Sequence, residues 1–126
     1  MEKFERIYSY SRKRAFEDGV LIDVTTTAIE AGFNYPVAVT SAVWHEFIVP
    51  DDSAREQGQS IRGRLWDLLF TLAIEIRKNR GNTTDILFWK VLFVIRGKLQ
   101  LVTLKSVCGP GDQLEPVITV MKENED

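Results

Sequence analysis

The chain has 126 residues and a formal net charge of −2, and 44% of its residues are hydrophobic. This length and composition predict one globular domain spanning residues 1–126, in which residues 1–7 and 122–126 fray. A single cysteine and a single histidine exclude an internal disulfide and the common Cys/His zinc sites. No apolar run reaches membrane-spanning length and the N-terminus is too charged for a secretory leader. We therefore expect a cytoplasmic location, no membrane contact and no cofactor.

The first half of the chain is typical of short helices that alternate with short extended segments. Ser11 has the side chain of a helix N-cap, and Gly19 and Gly32 are typical helix stop residues. Pro36 disfavours the helical region for the residue before it, which indicates an extended segment. We predict helices over residues 11–18, 25–31 and 40–49, extended segments over residues 20–24 and 35–39, and a loop over residues 50–59.

The second half contains the strongest helix and the strands. Apolar residues recur every three or four positions over residues 60–79, which predicts a helix with Arg64 on a narrow polar stripe. Its apolar arc is wide, so we expect the helix to be covered on most sides, with Trp66 in the core. Trp89 is also expected in the core. We predict a central strand over residues 86–95, a hairpin turn over residues 96–98, and two further strands over residues 99–108 and 117–121.

This order of elements predicts an α+β fold. We expect a three-stranded antiparallel meander near the C-terminus, packed by the one long helix. Short N-terminal helices and one short strand complete the predicted architecture.

Charge is distributed in blocks along the chain. Residues 1–14 carry a net charge of +3, and residues 15–54 contain no lysine or arginine and carry −7. Residues 55–105 carry +6, and residues 106–126 carry −4. Runs of like charge usually mark solvated faces, so we interpret the blocks as oppositely charged faces.

Two basic clusters are the candidates for contact with phosphate or with an acidic partner. Residues 77–80 fall at a predicted helix C-terminus, where cations complement the helix dipole. Arg12, Lys13 and Arg14 fall near a helix start, where they oppose the dipole, so they are the better candidates. A helix-turn-helix over residues 25–47 is disfavoured, because its connection is long and its second helix has no lysine or arginine.

The chain offers one thiol–imidazole pair, Cys108 and His45, for nucleophilic catalysis. Cys108 ends an apolar strand, which favours a buried and inert thiol. Residues 109–112 suit a tight turn better than an anion cradle, because Pro110 removes one backbone donor. We predict no catalytic residue and no metal ligand. The functional candidates are Arg12, Lys13, Arg14, Trp44, His45, Cys108, Gly109, Pro110, Gly111 and Asp112.

Four segments together carry a family resemblance. They are YSYSRKRAFEDGVLIDVT (residues 8–25), AGFNYPVAVTSAVW (31–44), RLWDLL (64–69) and LKSVCGPGDQLEPVITVM (104–121). Through them the chain resembles an uncharacterised family of small proteins that recurs in phages, plasmids, integrative elements and the bacteria that carry them. The resemblance implies a mobile-element setting and brings no catalytic residues.

We therefore predict a non-enzymatic interaction module that binds an unknown protein partner. The mobile-element setting implies action on host machinery or defence. The alternative is nucleic-acid binding by residues 12–14 and 77–80, and a third class is a small hydrolase or nuclease that uses acidic residues. Assembly into a homo-oligomer stays open.

Overall fold

A computed structural model of the protein describes residues 10–81 and 84–126, so the predicted fraying of residues 1–7 lies outside the described residues. The fold is α+β, as predicted. The helices of this part are α1 (Arg12–Glu17), α2 (Thr25–Glu30), α3 (Ser41–Val43), which continues as a π-helix over Trp44–Ile48, α4 (Asp52–Glu56) and α5 (Ile61–Lys78). Its strands are β1 (Leu21–Asp23), β2 (Val37–Thr40), β3 (Ile86–Ile95), β4 (Lys98–Pro110) and β5 (Pro116–Lys122).

The strands form one five-stranded sheet in the order β1-β2-β5-β4-β3. As predicted, β3, β4 and β5 are joined by antiparallel pairing. The three-stranded meander is nevertheless an incomplete description, because β2 pairs with β5 in parallel and β1 pairs with β2. The sheet therefore joins the first part of the chain to its last strand.

β2 is an inner strand that is buried on both faces. Val37, Ala38 and Val39 are fully buried, and a short run of small and β-branched apolar residues suits such a position. The predicted extended segment over residues 35–39 thus belongs to the sheet. Local pattern alone did not indicate this pairing, because the partner strand lies far along the chain.

β3 and β4 form a long hairpin joined by two residues. Arg96 and Gly97 have φ of 52° and 76°, the positive values of a two-residue type I′ turn. The predicted bounds of β3, residues 86–95, are confirmed. The predicted central position of β3 is wrong, because β3 lies at one end of the sheet. Apolar residues occupy both faces of β3, and this pattern is typical of a strand that is covered on both sides.

α5 packs on one face of the sheet, which we call the inner face. The Ser60 hydroxyl caps α5 by accepting a hydrogen bond from the Gly63 backbone N–H at 3.0 Å. Burial of one helix face against the sheet supplies most of the core. The buried leucines of α5 are Leu65, Leu68, Leu69 and Leu72, and they share one core with residues of β2, β3, β4 and β5.

The prediction that α5 is covered on most sides is wrong. Trp66 is 38% exposed and stacks on Phe70, with ring centroids 6.2 Å apart. Arg64, predicted on a polar stripe, is instead buried. The apolar arc of α5 is wide, but the sheet covers only one side of it. Trp89 lies in the core, as predicted.

The predicted loop over residues 50–59 contains the short helix α4. Asp51 caps it, because its Oδ1 atom accepts a hydrogen bond from the Ala54 backbone N–H at 2.7 Å. The Ala54 side chain is buried. A single cap and a single buried alanine are enough to order this turn, although its sequence is polar.

Candidate functional site

The face of the sheet opposite α5, which we call the outer face, is covered at one end. α1 lies against β1, and the Arg12 guanidinium donates a hydrogen bond to the Thr119 hydroxyl on β5 at 2.7 Å. At the other end, over β3 and β4, large apolar side chains are between 47% and 66% exposed. They are Ile86, Phe88, Leu92, Leu99 and Leu101, which we call the outer patch.

The strand register divides the outer patch into two groups. Leu92 lies opposite Leu101 with Leu99 beside them, whereas the pair of Lys90 and Thr103 separates this group from Ile86 and Phe88. Each member of the patch is about half exposed, so the two groups together present on the order of 500 Å² of apolar surface, and patches of several hundred Å² are often functional. The charged side chains at the outer positions of both strands are Lys90 and Lys105, and none is acidic.

The outer patch lies on a ribbon that extends past the rest of the sheet. β5 pairs with β4 only from Leu104 to Pro110, so residues 98–103 pair with β3 alone. On the inner side the Phe47 ring stacks on Phe93, with centroids 5.5 Å apart. One face of the ribbon is therefore supported by packing, and the other is open to a ligand.

Arg64 fixes this ribbon to the π-helix. Its guanidinium donates hydrogen bonds to the backbone carbonyls of Phe47, at 2.9 Å, and of Val94. The guanidinium also lies 5.8 Å from the centroid of the Phe93 ring. Burial lowers the pKa of Arg64 from its ordinary value. Arg64 therefore positions the ribbon and leaves the outer patch unobstructed.

A cleft of about 630 Å³ lies beside Arg64. Its lining includes His45, Glu46, Asp51 and Arg96, so acidic and basic groups are mixed. The Asp51 carboxylate accepts a hydrogen bond from the Arg96 backbone N–H at 3.2 Å, which ties the hairpin turn to α4. The cleft therefore has no single charge that would select a ligand.

The predicted basic cluster at α1 is tied to the C-terminal half of the chain. The Asp112 carboxylate accepts hydrogen bonds from the backbone N–H groups of Arg12, at 2.7 Å, and Lys13, at 2.9 Å. Ser11 completes the cap by accepting from the Arg14 N–H at 3.0 Å. Asp112 thus supplies the negative charge that a helix start requires and offsets the nearby cations.

Acidification is expected to remove the contribution of Asp112 to stability. Hydrogen bonds from the Lys13 and Arg12 N–H groups hold the pKa of Asp112 below its usual value. A carboxylate whose pKa is depressed by folding stabilises the protein above its unfolded value of about 3.9, and this contribution is lost as the pH falls further. The urea-unfolding midpoints of the wild type and of Asp112→Asn should therefore converge between about pH 5 and pH 2.

Glu123→Gln is the matched control, because Glu123 is an exposed carboxylate near the same end of the chain. Its midpoint should follow that of the wild type over the whole pH range. If the urea-unfolding midpoints of Asp112→Asn and the wild type differed by the same amount at every pH, Asp112 would not be the cap of α1.

Cys108 and His45 line separate cavities. His45 lies at the cleft beside Arg64, whereas Cys108 lines a second cavity of about 280 Å³ with Arg77 and Arg80. Burial and the charge of Asp85 raise the pKa of the Cys108 thiol, which disfavours the nucleophilic thiolate. The structure therefore gives this pair no shared site.

The other candidates occupy structural positions. Trp44 begins the π-helix and packs, partly buried, against the core. Gly109 and Pro110 are the last residues of β4, so the turn begins later than predicted. At Gly111 the backbone N–H donates a hydrogen bond to the Glu115 carbonyl at 2.6 Å. This turn places Asp112 at the start of α1.

Sequence reasoning missed the outer patch. Its signal was present, because both alternating sets of side chains in β3 are largely apolar. The part of the chain that the structure describes has one long helix, and one helix covers only one face of a hairpin. A strand that is apolar on both faces, in a sheet with one covering helix, indicates an exposed interaction surface.

Residues 10–81 and 84–126 contain no group of three or more histidine, cysteine, aspartate or glutamate side chains placed to hold a metal ion. Within the same ranges no helix is long and apolar enough to cross a membrane.

These observations define a mixed α+β protein with a five-stranded sheet, one long covering helix and an exposed apolar hairpin face. Residues 1–126 match a family of unknown function, DUF6573, and the chain belongs to this family. The predicted membership of an uncharacterised family is thereby confirmed. Comparisons with curated proteins and with solved structures found no match.

Proposed function

We propose that this protein is a non-enzymatic interaction module that binds a protein partner through the outer patch. The observation that carries the proposal is the exposure of five large apolar side chains on one face of the hairpin. Apolar surface of this extent is at the upper end of what monomeric proteins expose and is often functional, which supports a role in binding.

Charge indicates which kind of partner fits. Lys90 lies among the apolar side chains, the Lys105 ammonium donates a hydrogen bond to the Glu125 backbone carbonyl, and the outer positions of β3 and β4 carry no acid. A two-fold contact between copies of the chain would bring Lys90 against the same patch of the other copy, and like charges repel. The fitting partner is a different protein, with apolar side chains and carboxylates on its contact surface.

Substitution of the outer patch tests this function. We expect Leu99→Thr combined with Leu101→Thr to weaken partner binding more than about tenfold, because buried apolar anchors carry much of an interface's affinity. The free energy of unfolding should change by less than about 1 kcal/mol, because both leucines are exposed and threonine suits a strand.

The measurement has two steps. Immobilised wild type and variant are first compared on the same nuclease-treated bacterial lysate, and a protein that only the wild type retains is identified. The partner is then purified, and its Kd for both proteins is measured. Phe70→Gln is the control, because Phe70 is an exposed aromatic residue on α5 and lies off the patch. Equal affinity of the wild type and the double variant would contradict the proposal.

Nucleic-acid binding by the basic clusters is the weaker alternative. The Arg12 guanidinium is already engaged by Thr119 and by the Ile118 carbonyl, and Asp112 lies at the same helix start. Lys13 and Arg14 remain exposed. Fewer cations are thus available for phosphate than the sequence indicates.

We expect no binding of duplex or single-stranded nucleic acid at near-physiological salt, so Lys13→Gln with Arg14→Gln should change nothing. Fluorescence anisotropy with labelled oligonucleotides over a salt series measures this. Sub-micromolar binding that the double variant weakens would support the alternative instead. Each lost phosphate contact would then flatten the log–log salt dependence by about 0.7–0.9.

The biological setting proposed for this module rests on the family resemblance alone. A mobile-element protein of this size would act in the cytoplasm on a host protein, for instance one that serves in defence. Identification of the captured partner as a host protein would support action on the host, and a partner encoded by the same mobile element would contradict it.

A further inference from the structure

Among residues 10–81 and 84–126, no strand pairs with one edge of β3, because β3 lies at the end of the sheet. In a hairpin with a two-residue turn the pair that flanks the turn, here Ile95 and Lys98, is hydrogen-bonded. Every second residue of β3, counted back from Ile95, therefore bonds to β4. The residues between them, with even numbers from 86 to 94, direct their backbone N–H and C=O groups away from β4.

Contacts at both ends of this series of even-numbered residues agree with the direction of their backbone groups. At one end the Val94 carbonyl accepts a hydrogen bond from the Arg64 guanidinium. At the other end the Thr84 hydroxyl accepts from the Ile86 N–H at 3.2 Å and donates to the Ile86 carbonyl at 3.0 Å. The residues between the two ends are Phe88, Lys90 and Leu92, which we call the open edge.

Lys90 stands at the centre of the open edge. If two copies paired antiparallel about this centre, Lys90 of each would lie directly opposite Lys90 of the other. Like charges placed directly opposite each other destabilise a sheet, and edge lysines protect proteins from such self-pairing. A second copy is therefore a poor occupant, whereas a strand with a central carboxylate is a good one.

We propose that the open edge binds an extended strand of the protein partner. A carboxylate of that strand lies opposite Lys90, and apolar side chains lie opposite Phe88 and Leu92. Backbone hydrogen bonds supply the affinity of such strand addition, and alternate side chains supply its specificity. The inference rests on the proposed function, because the added strand would lie beside the outer patch and extend it.

A synthetic peptide tests strand addition directly. The probe is acetyl-Thr-Val-Thr-Glu-Thr-Val-Thr-amide, added at millimolar concentration to the full chain labelled with ¹⁵N. We expect amide hydrogen exchange to slow about tenfold at Phe88, Lys90 and Leu92. Exchange at Trp89 and Val91 should change little, because their N–H groups already bond to β4.

Reversal of the charge on the peptide or on Lys90 tests whether the peptide's carboxylate lies opposite Lys90. A control peptide with lysine in place of the central glutamate should bind the wild type about two- to five-fold more weakly. Lys90→Glu should reverse this order of preference, since specificity is a difference of affinities. Circular dichroism verifies that the variant is folded, and the comparison of the two peptides on the wild type needs no variant.

The other results overturn either strand addition or the proposed function. No response to the probe, or slowed exchange without the alternation, would exclude strand addition while the outer-patch double variant still tests the proposed function. Alternating protection without the probe, rising with protein concentration, would make a second copy the occupant. If the probe protects the open edge but the double variant binds the purified partner as tightly as the wild type, the proposed function fails and strand addition stands.

Discussion

Trp89→Ala is expected to lower the free energy of unfolding by about 3–5 kcal/mol, the usual effect of deleting a large core aromatic side chain. Trp89 is only 4% exposed and lies in the core shared by α5 and the sheet. Its indole N–H donates a hydrogen bond to the Thr71 hydroxyl at 3.0 Å. The substitution therefore creates a cavity and removes a bond between β3 and α5. Urea unfolding followed by circular dichroism measures the loss.

Two variants show whether the loss has the assigned cause. Trp89→Phe keeps an aromatic ring but cannot donate to Thr71, so we expect a smaller loss of about 1–2 kcal/mol. Trp66→Ala should cost less than about 2 kcal/mol, because Trp66 is already partly in water. Equal losses for Trp66→Ala and Trp89→Ala would contradict the placement of α5 on the sheet.

Arg64→Met is expected to lower the free energy of unfolding by about 2–4 kcal/mol. Methionine keeps much of the side-chain volume but leaves the carbonyls of Phe47 and Val94 without their charged donor. Hydrogen bonds to a charged group stabilise by about 1.5–3 kcal/mol each, and relief from burying the guanidinium offsets only part of this loss.

Arg62→Met is the matched control on the same helix. The Arg62 guanidinium lies 3.8 Å from the Glu30 carboxylate, and both side chains are largely exposed. Exposed ion pairs of this kind contribute little, so the change should stay below about 1 kcal/mol. Both variants are compared with the wild type by urea unfolding. A loss at Arg64 no larger than that at Arg62 would show that Arg64 does not fix the ribbon.

The elements that sequence predicts well are those fixed by neighbours along the chain. Ser11 caps α1 as expected, because a cap acts over three residues. Gly97 indicates the hairpin turn locally, because glycine readily adopts the positive φ that a type I′ turn requires.

The features that sequence could not supply depend on residues far apart. The Asp112 carboxylate binds the backbone of Arg12, one hundred positions earlier, and no local pattern encodes that contact. The parallel pairing of β2 with β5 is equally remote. Periodicity also measures how wide an apolar arc is but not how much of it a neighbour covers, which is why Trp66 was misplaced.

The candidate site shows the same division. The hairpin residues were identified as a strand pair, but β3 was predicted to be a central strand, whereas it lies at one end of the sheet with its outer side chains exposed. Which face α5 covers is decided by tertiary packing. The exposure of the outer patch therefore depends on which face of the sheet α5 covers.

The position of β5 bears on how fast the chain folds. β5 follows β3 and β4 along the chain and yet lies between β2 and β4 in the sheet. The β3–β4 hairpin pairs strands that are neighbours in sequence, whereas β2 pairs with β5 across about eighty residues. Closing a loop of that length costs entropy before the pairing stabilises anything. Joining the two parts of the sheet is therefore expected to be the slow step of folding, with the hairpin formed earlier.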